Sequence, residues 1–211
     1  MVLISHDHYD HLDYGSIQLL KEKVNQFMVP LGVGAHLREW GVDESSIQEF
    51  DWWQELTYEN IELAFTPSRH FSGRGLTDRF STLWGSWVIK GKAKNLYFSG
   101  DSGYGEHFKE IGEKFGPFDF AMMECGQYNE KWADIHMMPE ETVQASADVN
   151  TKKVMPIHWG AFTLALHTWT DPVERFTQKA KQINLYYIIP KIGEEIDLNE
   201  LEHDGETWWK N

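Results

Sequence analysis

A chain of 211 residues with 41% hydrophobic and 14% aromatic side chains carries enough apolar mass for one sizeable core, which excludes a disordered or fibrous chain. Its formal charge of −14 opposes partners that present a phosphate backbone, because such binding needs Lys and Arg clusters that release counterions, so nucleic acid is excluded as a partner. The single cysteine, Cys125, excludes an intrachain disulfide and predicts a reducing, cytoplasmic setting, and no apolar run of about 18 residues is present to span a bilayer.

In chain order, the apolar residues 1–4 predict a strand, and 14–24 a helix with Ile17, Leu20 and Val24 on one face. A short strand is expected at 27–29, then a helix over 35–40 stopped by Gly41. Residues 61–65 and 83–89 read as strands, the second turning through GKAKN (91–95) into another at 96–99 as a hairpin. Helices are expected at 106–114, 139–149 and 172–183, with Pro139 and Pro172 where a first helical turn tolerates a missing amide. Strands are expected at 118–122, 154–157 and 186–189. With no low-complexity linker or internal repeat, the alternation predicts one mixed α/β layered domain over 1–211.

The chemistry concentrates where strands end. SHDHYDHLD (5–13) follows the first strand, TPSRH closes on His70 after the 61–65 strand, SGD closes on Asp101 after 96–98, and 154–157 runs straight into His158. In layered α/β folds ligands bind beyond strand ends, so four such placements outweigh any one residue. His6 and His8, two apart, fall on one side of an extended segment, while Asp10 and His11 come where the chain turns and can reach a second centre. One stretch can therefore feed two metals, with Asp101 as the carboxylate that bridges them. Nitrogen and oxygen ligands without thiolate favour zinc, with Mn or Fe as alternatives. The bland alternative is a solvated strand end that happens to be rich in histidine; taken singly, His70, Asp101 and His158 would each be read that way.

HxHxDH at 6–11, a later His, an Asp in a GD pair and a last His together resemble the metallo-β-lactamase superfamily. The stretches TPSRHFSGR (66–74), LWGSW (83–87), FSGDSGY (98–104), FGPFD (115–119), HMMPEE (136–141) and TKKVMPIHWGAFTLA (151–165) are similar to its branch of N-acylphosphatidylethanolamine-hydrolysing phospholipases D and their bacterial relatives. That resemblance implies an αββα sandwich in which His6, His8 and His70 hold one zinc, Asp10, His11 and His158 the other, and Asp101 both. Members of that branch carry a long segment before HxHxDH, so the expectation is an N-terminally truncated domain lacking its first strands.

Two bound cations acidify a bridging water toward neutrality and offset charge on the attacked centre, which predicts a metal-dependent hydrolase, and the resemblance implies a phosphodiesterase of phospholipase D type. Asp10 and Asp101 are the catalytic carboxylates of this expectation, and His136, ahead of a helix opened by Pro139, is the candidate that contacts substrate or leaving group. The alternatives are a lactonase acting on a phosphorylated sugar lactone and a metal-binding protein without turnover. Ser5 and Asp13 either orient imidazoles or cap local structure, and the glycines of SGDSGYG read as a turn that lets Asp101 approach the metals. His36, His107, His167 and His203 match no ligand pattern and read as structural or solvated. Trp52, Trp53, Trp208 and Trp209 fit either core packing or peripheral contact with a membrane interface, which a phospholipid-like substrate would require.

Overall fold

A computed structural model of the chain describes residues 1–199 and 207–210, so His203 lies outside the described residues. The chain runs β1 (Val2–Leu3), α1 (Tyr14–Leu20), β2 (Phe27–Pro30), α2 (Gly34–Glu39), β3 (Ile47–Phe50), β4 (Glu55–Tyr58), β5 (Ile61–Thr66), β6 (Ser86–Lys90) and β7 (Asn95–Phe98). It continues through α3 (His107–Phe115), β8 (Phe120–Glu124), α4 (Pro139–Asp148), β9 (Lys153–Ile157), α5 (Asp171–Gln182) and β10 (Tyr186–Tyr187). Strands β1-β2-β3 form a small parallel sheet, and the other seven form a second sheet in the order β10-β9-β8-β7-β6-β5-β4.

Side-chain alternation sorts these strands into an αββα stack. In β2, Phe27 and Val29 pack with Ile17 of α1 and Leu37 of α2, while Met28 between them faces Phe50, Leu63, Phe65 and Trp87 in the layer between the sheets. In β5, Leu63 and Phe65 point into that layer, and Ala64 points outward to the core that Phe108, Ile111, Val143 and Phe176 build from α3, α4 and α5. Trp87 is fully buried, and its indole N–H donates to Ile4 O at 2.9 Å, joining the large sheet to the segment that leads into the histidine cluster.

Register then decides where the chemistry goes. β5–β6 and β6–β7 pair antiparallel, while β7–β8 and β8–β9 pair parallel. β5, β7, β8 and β9 therefore run one way, and their carboxyl ends share one edge of the sheet. Gly85 N–H donates to Ser5 O at 2.9 Å and brings the end of β1 to the same edge.

Several boundaries differ from the sequence reading. α1 stops at Leu20, where the amides of Lys23 and Val24 both turn back to Leu20 O. The strand expected at 83–89 starts only at Ser86: Leu83 N–H bonds Leu31 O of the small-sheet side, and a Cβ on Gly85 would lie 2.4 Å from Thr66 O. The strand expected at 118–122 is shifted to Phe120–Glu124, because Phe118 makes only an isolated bridge to Thr151. The strand expected at 186–189 shortens to Tyr186–Tyr187. β3 and β4 had no expectation at all; their IQEF and ELTY bury a single side chain, Phe50, so no apolar period marks them.

Candidate metal centre

At the shared edge, seven side chains from four segments converge. The turn after β1 is tight, with His11 and Leu12 amides both bonded to His8 O, and it carries His6, His8, Asp10 and His11. His70 arrives on the loop after β5, Asp101 on the turn after β7 and His158 directly after β9. The turn before Asp101 needs a glycine: Gly100 has φ +58°, and a Cβ there would meet Gly85 O at 2.6 Å and Ser5 Cβ at 2.8 Å. His158 adopts φ +66°, a left-handed conformation uncommon for a side-chain-bearing residue, and so leaves β9 in a sharp turn.

The ligand atoms form two groups. In the first, His6 Nε2 lies 3.1 Å and His70 Nε2 3.2 Å from His8 Nδ1. In the second, His11 Nε2 lies 3.5 Å from Asp10 Oδ2 and 3.4 Å from His158 Nε2, which is itself 3.3 Å from Asp10 Oδ2. Asp101 Oδ2 faces both groups, 3.8 Å from His6 Nε2 and His70 Nε2 and 3.2 and 3.4 Å from His11 and His158 Nε2. Ligands about 2.0–2.1 Å from a tetrahedral zinc stand roughly 3.3 Å apart, so both groups have the span that such an ion requires. Among the described residues Asp101 Oδ1 is buried without a hydrogen-bond partner, as a carboxylate suited to a cation would be.

The electrostatics of the two groups differ. Burial pushes His6 and His8 below the ordinary imidazole range and His70 to about 3 despite Asp101, so all three rings are neutral ligands. Burial also opposes charge on His11 and His158, but the Asp101 and Asp10 carboxylates prevail, raising His11 to about 9 and His158 well above its usual value. Burial disfavours the Asp101 anion as well, yet His158 and His11 hold its carboxyl far below the usual range.

Outer contacts orient these rings. His70 Nδ1 donates to Ile135 O at 3.0 Å, and because a carbonyl only accepts, the Nε2 lone pair must face inward. Ser5 Oγ lies 3.0 Å from His6 Nδ1, whereas Asp13 caps α1 by accepting from Ser16 N–H; the two residues thus divide the roles left open by the sequence. Asp7, fully buried, accepts from Gly73 N–H and Thr82 Oγ1, and Arg74 donates to Leu12 O at 2.7 Å, clamping the loop that carries the histidines. Of the histidines set aside, His36 approaches Asp7 at 3.6 Å, His107 bonds Ser102 Oγ at 3.1 Å and His167 accepts from Gln127 N–H at 2.9 Å.

A cavity of about 340 Å³ opens over the centre, lined by His8, Asp10, His70, Asp101, His158 and His136 together with Phe71, Gln127 and Leu164. The His136 ring stacks on His158 at 5.5 Å, and its Nδ1 donates to Glu124 Oε1 at 2.8 Å. Gln127 accepts the Leu164 and Ala165 amides on Oε1 and donates to Phe162 O, fixing the loop at the rim. Glu124 and Gln127 escape the sequence reading because neither sits at a ligand spacing; the one available signal is a glutamate ending an apolar strand. The four tryptophans considered for a lipid interface are packed instead: Trp52 donates to Trp84 O, Trp53 stacks on Phe115, and Trp208 and Trp209 join the outer core. Exposed apolar side chains between His158 and α5 are Phe162, Leu164, Leu166 and Trp169, of which Leu164 lines this cavity.

The sequence profile described as a beta-lactamase superfamily domain matches residues 1–159. An uncharacterised protein of Mycobacterium tuberculosis is 46% identical over 200 residues, covering 93% of this chain and 54% of that protein. The N-acyl-phosphatidylethanolamine-hydrolyzing phospholipase D 1 of Caenorhabditis elegans is 32% identical over 174 residues, 77% of this chain and 49% of that one. The chain thus spans about half the length of these relatives. Among solved structures, a metallo hydrolase from Ignicoccus hospitalis superposes with a TM-score of 0.72 at 19% identity, covering 92% of this chain and 77% of the other; it shares the fold.

Proposed function

This chain belongs to the metallo-β-lactamase superfamily, and on that premise we propose that it is a metal-dependent hydrolase that cleaves a phosphodiester in a phospholipid-like substrate. The observation that carries the reading is Asp101 Oδ2 standing between a three-histidine group and an Asp10/His11/His158 group, the geometry of a two-cation site. Two divalent ions, zinc first with Mn or Fe as alternatives, would be held by His6, His8 and His70, by Asp10, His11 and His158, and by Asp101 in common. When bound, they would acidify water for attack and offset the charge of the phosphoryl oxygens.

The chain's own residues supply the rest. His70 is fixed by Ile135 O and His6 by Ser5 Oγ, so the three-histidine face is preorganised. His136 lines the same cavity as Asp10 and is, in this reading, the group that meets the leaving oxygen. Phe71 and Leu164 give the cavity an apolar wall, and Phe162, Leu166 and Trp169, exposed on the same segment as Leu164, are the surface that would touch a lipid layer. Among the described residues no helix is long and apolar enough to cross a membrane, so that contact is peripheral in this reading. Cys125, buried and with its thiol pushed up by burial, suits a reducing cytoplasmic compartment.

Kinship with the phospholipase D relative favours the phosphodiester over a phosphorylated sugar lactone. Zinc-loaded protein should release phosphatidic acid from N-acylphosphatidylethanolamine vesicles and leave such lactones intact. Lactone opening without lipid cleavage selects the lactonase, and inertness toward both at full metal loading selects a binding protein.

A further inference from the structure

Glu124 ends β8 with its side chain fully buried, and its ion-pair partners among the described residues are two imidazoles. Oε2 accepts the Met137 amide at 3.2 Å, and Oε1 accepts His136 Nδ1–H at 2.8 Å. The same Oε1 lies 3.7 Å from His158 Nδ1, which is buried and has no hydrogen-bond partner among the described residues. Register explains the meeting: Glu124 pairs with Ile157, so the ends of β8 and β9 place the carboxylate beside His158, while Thr142 of α4 donates to Glu124 O and locks the strand end. A buried carboxylate is costly unless its oxygens are matched, and the donors matching this one are the Met137 amide and His136 Nδ1, with His158 Nδ1 at ion-pair distance.

We propose that Glu124 is the positioning residue of this site, fixing His136 with its proton on Nδ1 so that Nε2 faces the reaction as a proton carrier, and steadying His158 through the same oxygen. This rests on the hydrolase reading above. In the proton path, water oxygen bonds phosphorus and releases a proton to His136 Nε2. The bond from phosphorus to the departing oxygen breaks, and that oxygen takes the proton, returning the ring to its Nδ1–H form. Glu124 Oε1 accepts the Nδ1–H throughout, so the ring starts and ends in the same tautomer.

The test is Glu124→Gln in the zinc-loaded chain, read by long-range ¹H–¹⁵N correlation of the histidine rings. The amide oxygen must take the Met137 N–H, which turns the NH₂ toward His136 and forces its proton to Nε2. The expected result is that tautomer switch, two zinc ions retained, an unchanged circular dichroism spectrum, and phosphodiester turnover lowered about 10- to 100-fold. His136→Gln assigns the resonance, and in its background Glu124→Gln should cost less than twofold. An unchanged His136 tautomer, or an additive loss in the double variant, overturns the proposal. If the Gln variant unfolds, Glu124→Asp takes its place, expected to keep the Nδ1–H tautomer with a weakened bond and intermediate turnover; wild-type turnover there overturns it too. A wild-type chain inert to every phosphodiester would defeat the hydrolase reading, while the tautomer measurement would still decide the role of Glu124.

Discussion

The two halves of the centre share imidazoles and the Asp101 carboxylate yet behave oppositely. The three-histidine half is neutral, with His70 at about 3, and its rings are braced from outside by Ser5 and the Ile135 carbonyl. The Asp10/His11/His158 half is charged, with His11 at about 9, and one of its members stands on left-handed backbone. What separates them is the number of carboxylates at ion-pair distance: Asp101 at 3.8 Å from His6 and His70 on one side, Asp10 and Asp101 at 3.2–3.5 Å and Glu124 at 3.7 Å on the other. The first half is ready for a cation at neutral pH, whereas the second must first give up protons.

The largest effect belongs to the residue the halves share. Asp101→Ala should strip the second zinc, weaken the first and lower turnover by at least about 10²–10³-fold, as measured by elemental analysis and phosphodiester hydrolysis. Retention of two tightly held ions would show that the halves are independent. Gly126→Ala should act on one half only, because a Cβ there would sit 2.0 Å from His158 O and push that residue out of its turn. Zinc stoichiometry should fall from two to one, and His70→Ala should remove the other ion, so the two variants separate the halves.

Proton competition sharpens the contrast further. Between pH 6 and 8 metal-free His11 is protonated, since about 9 exceeds the pH, so loading the second half expels at least one proton and its zinc affinity should rise about tenfold per pH unit. The three-histidine half, whose His70 is already neutral, should show little pH dependence over that range in competition titrations. Equal slopes at both sites would contradict the comparison.

The smallest effect concerns the support of the first half. His107 bonds Ser102 Oγ, which accepts Arg69 N–H next to His70; burial first, and Arg69 second, lower His107 to about 4. Its folded value is below the unfolded 6.5, so the unfolded chain binds more protons between pH 6.5 and 4, and stability falls as pH drops through that window. His107→Gln should flatten this decline by about 1 kcal/mol or more in urea unfolding, after allowance for partial exposure. An unchanged pH slope would show that other groups cause it.

Much of the centre was legible beforehand. HxHxDH fixes four ligand candidates by local spacing, and His70, Asp101 and His158 each follow an apolar run that can only end at a sheet edge. Mixed α/β layering was likewise legible in the alternation of strand-like and helix-like stretches, whereas the αββα stack was implied only by the family resemblance; in the structure alternate residues of β2 and β5 serve its different layers. β3 and β4 were not, because lightly buried strands are held by neighbouring backbones rather than by their own pattern.

The sequence by itself determined which side chains are the candidates for the chemistry and that strand ends present them, since residue type and short-range periodicity are properties of the chain alone. Only the tertiary structure decided that β5, β7, β8 and β9 open on one edge, that Asp101 faces both groups, and that Glu124 meets His136 and His158. Those partners lie 12 and 34 positions from Glu124, and their nearness comes from strand register and the burial that forces a carboxylate to find donors, which no local pattern encodes.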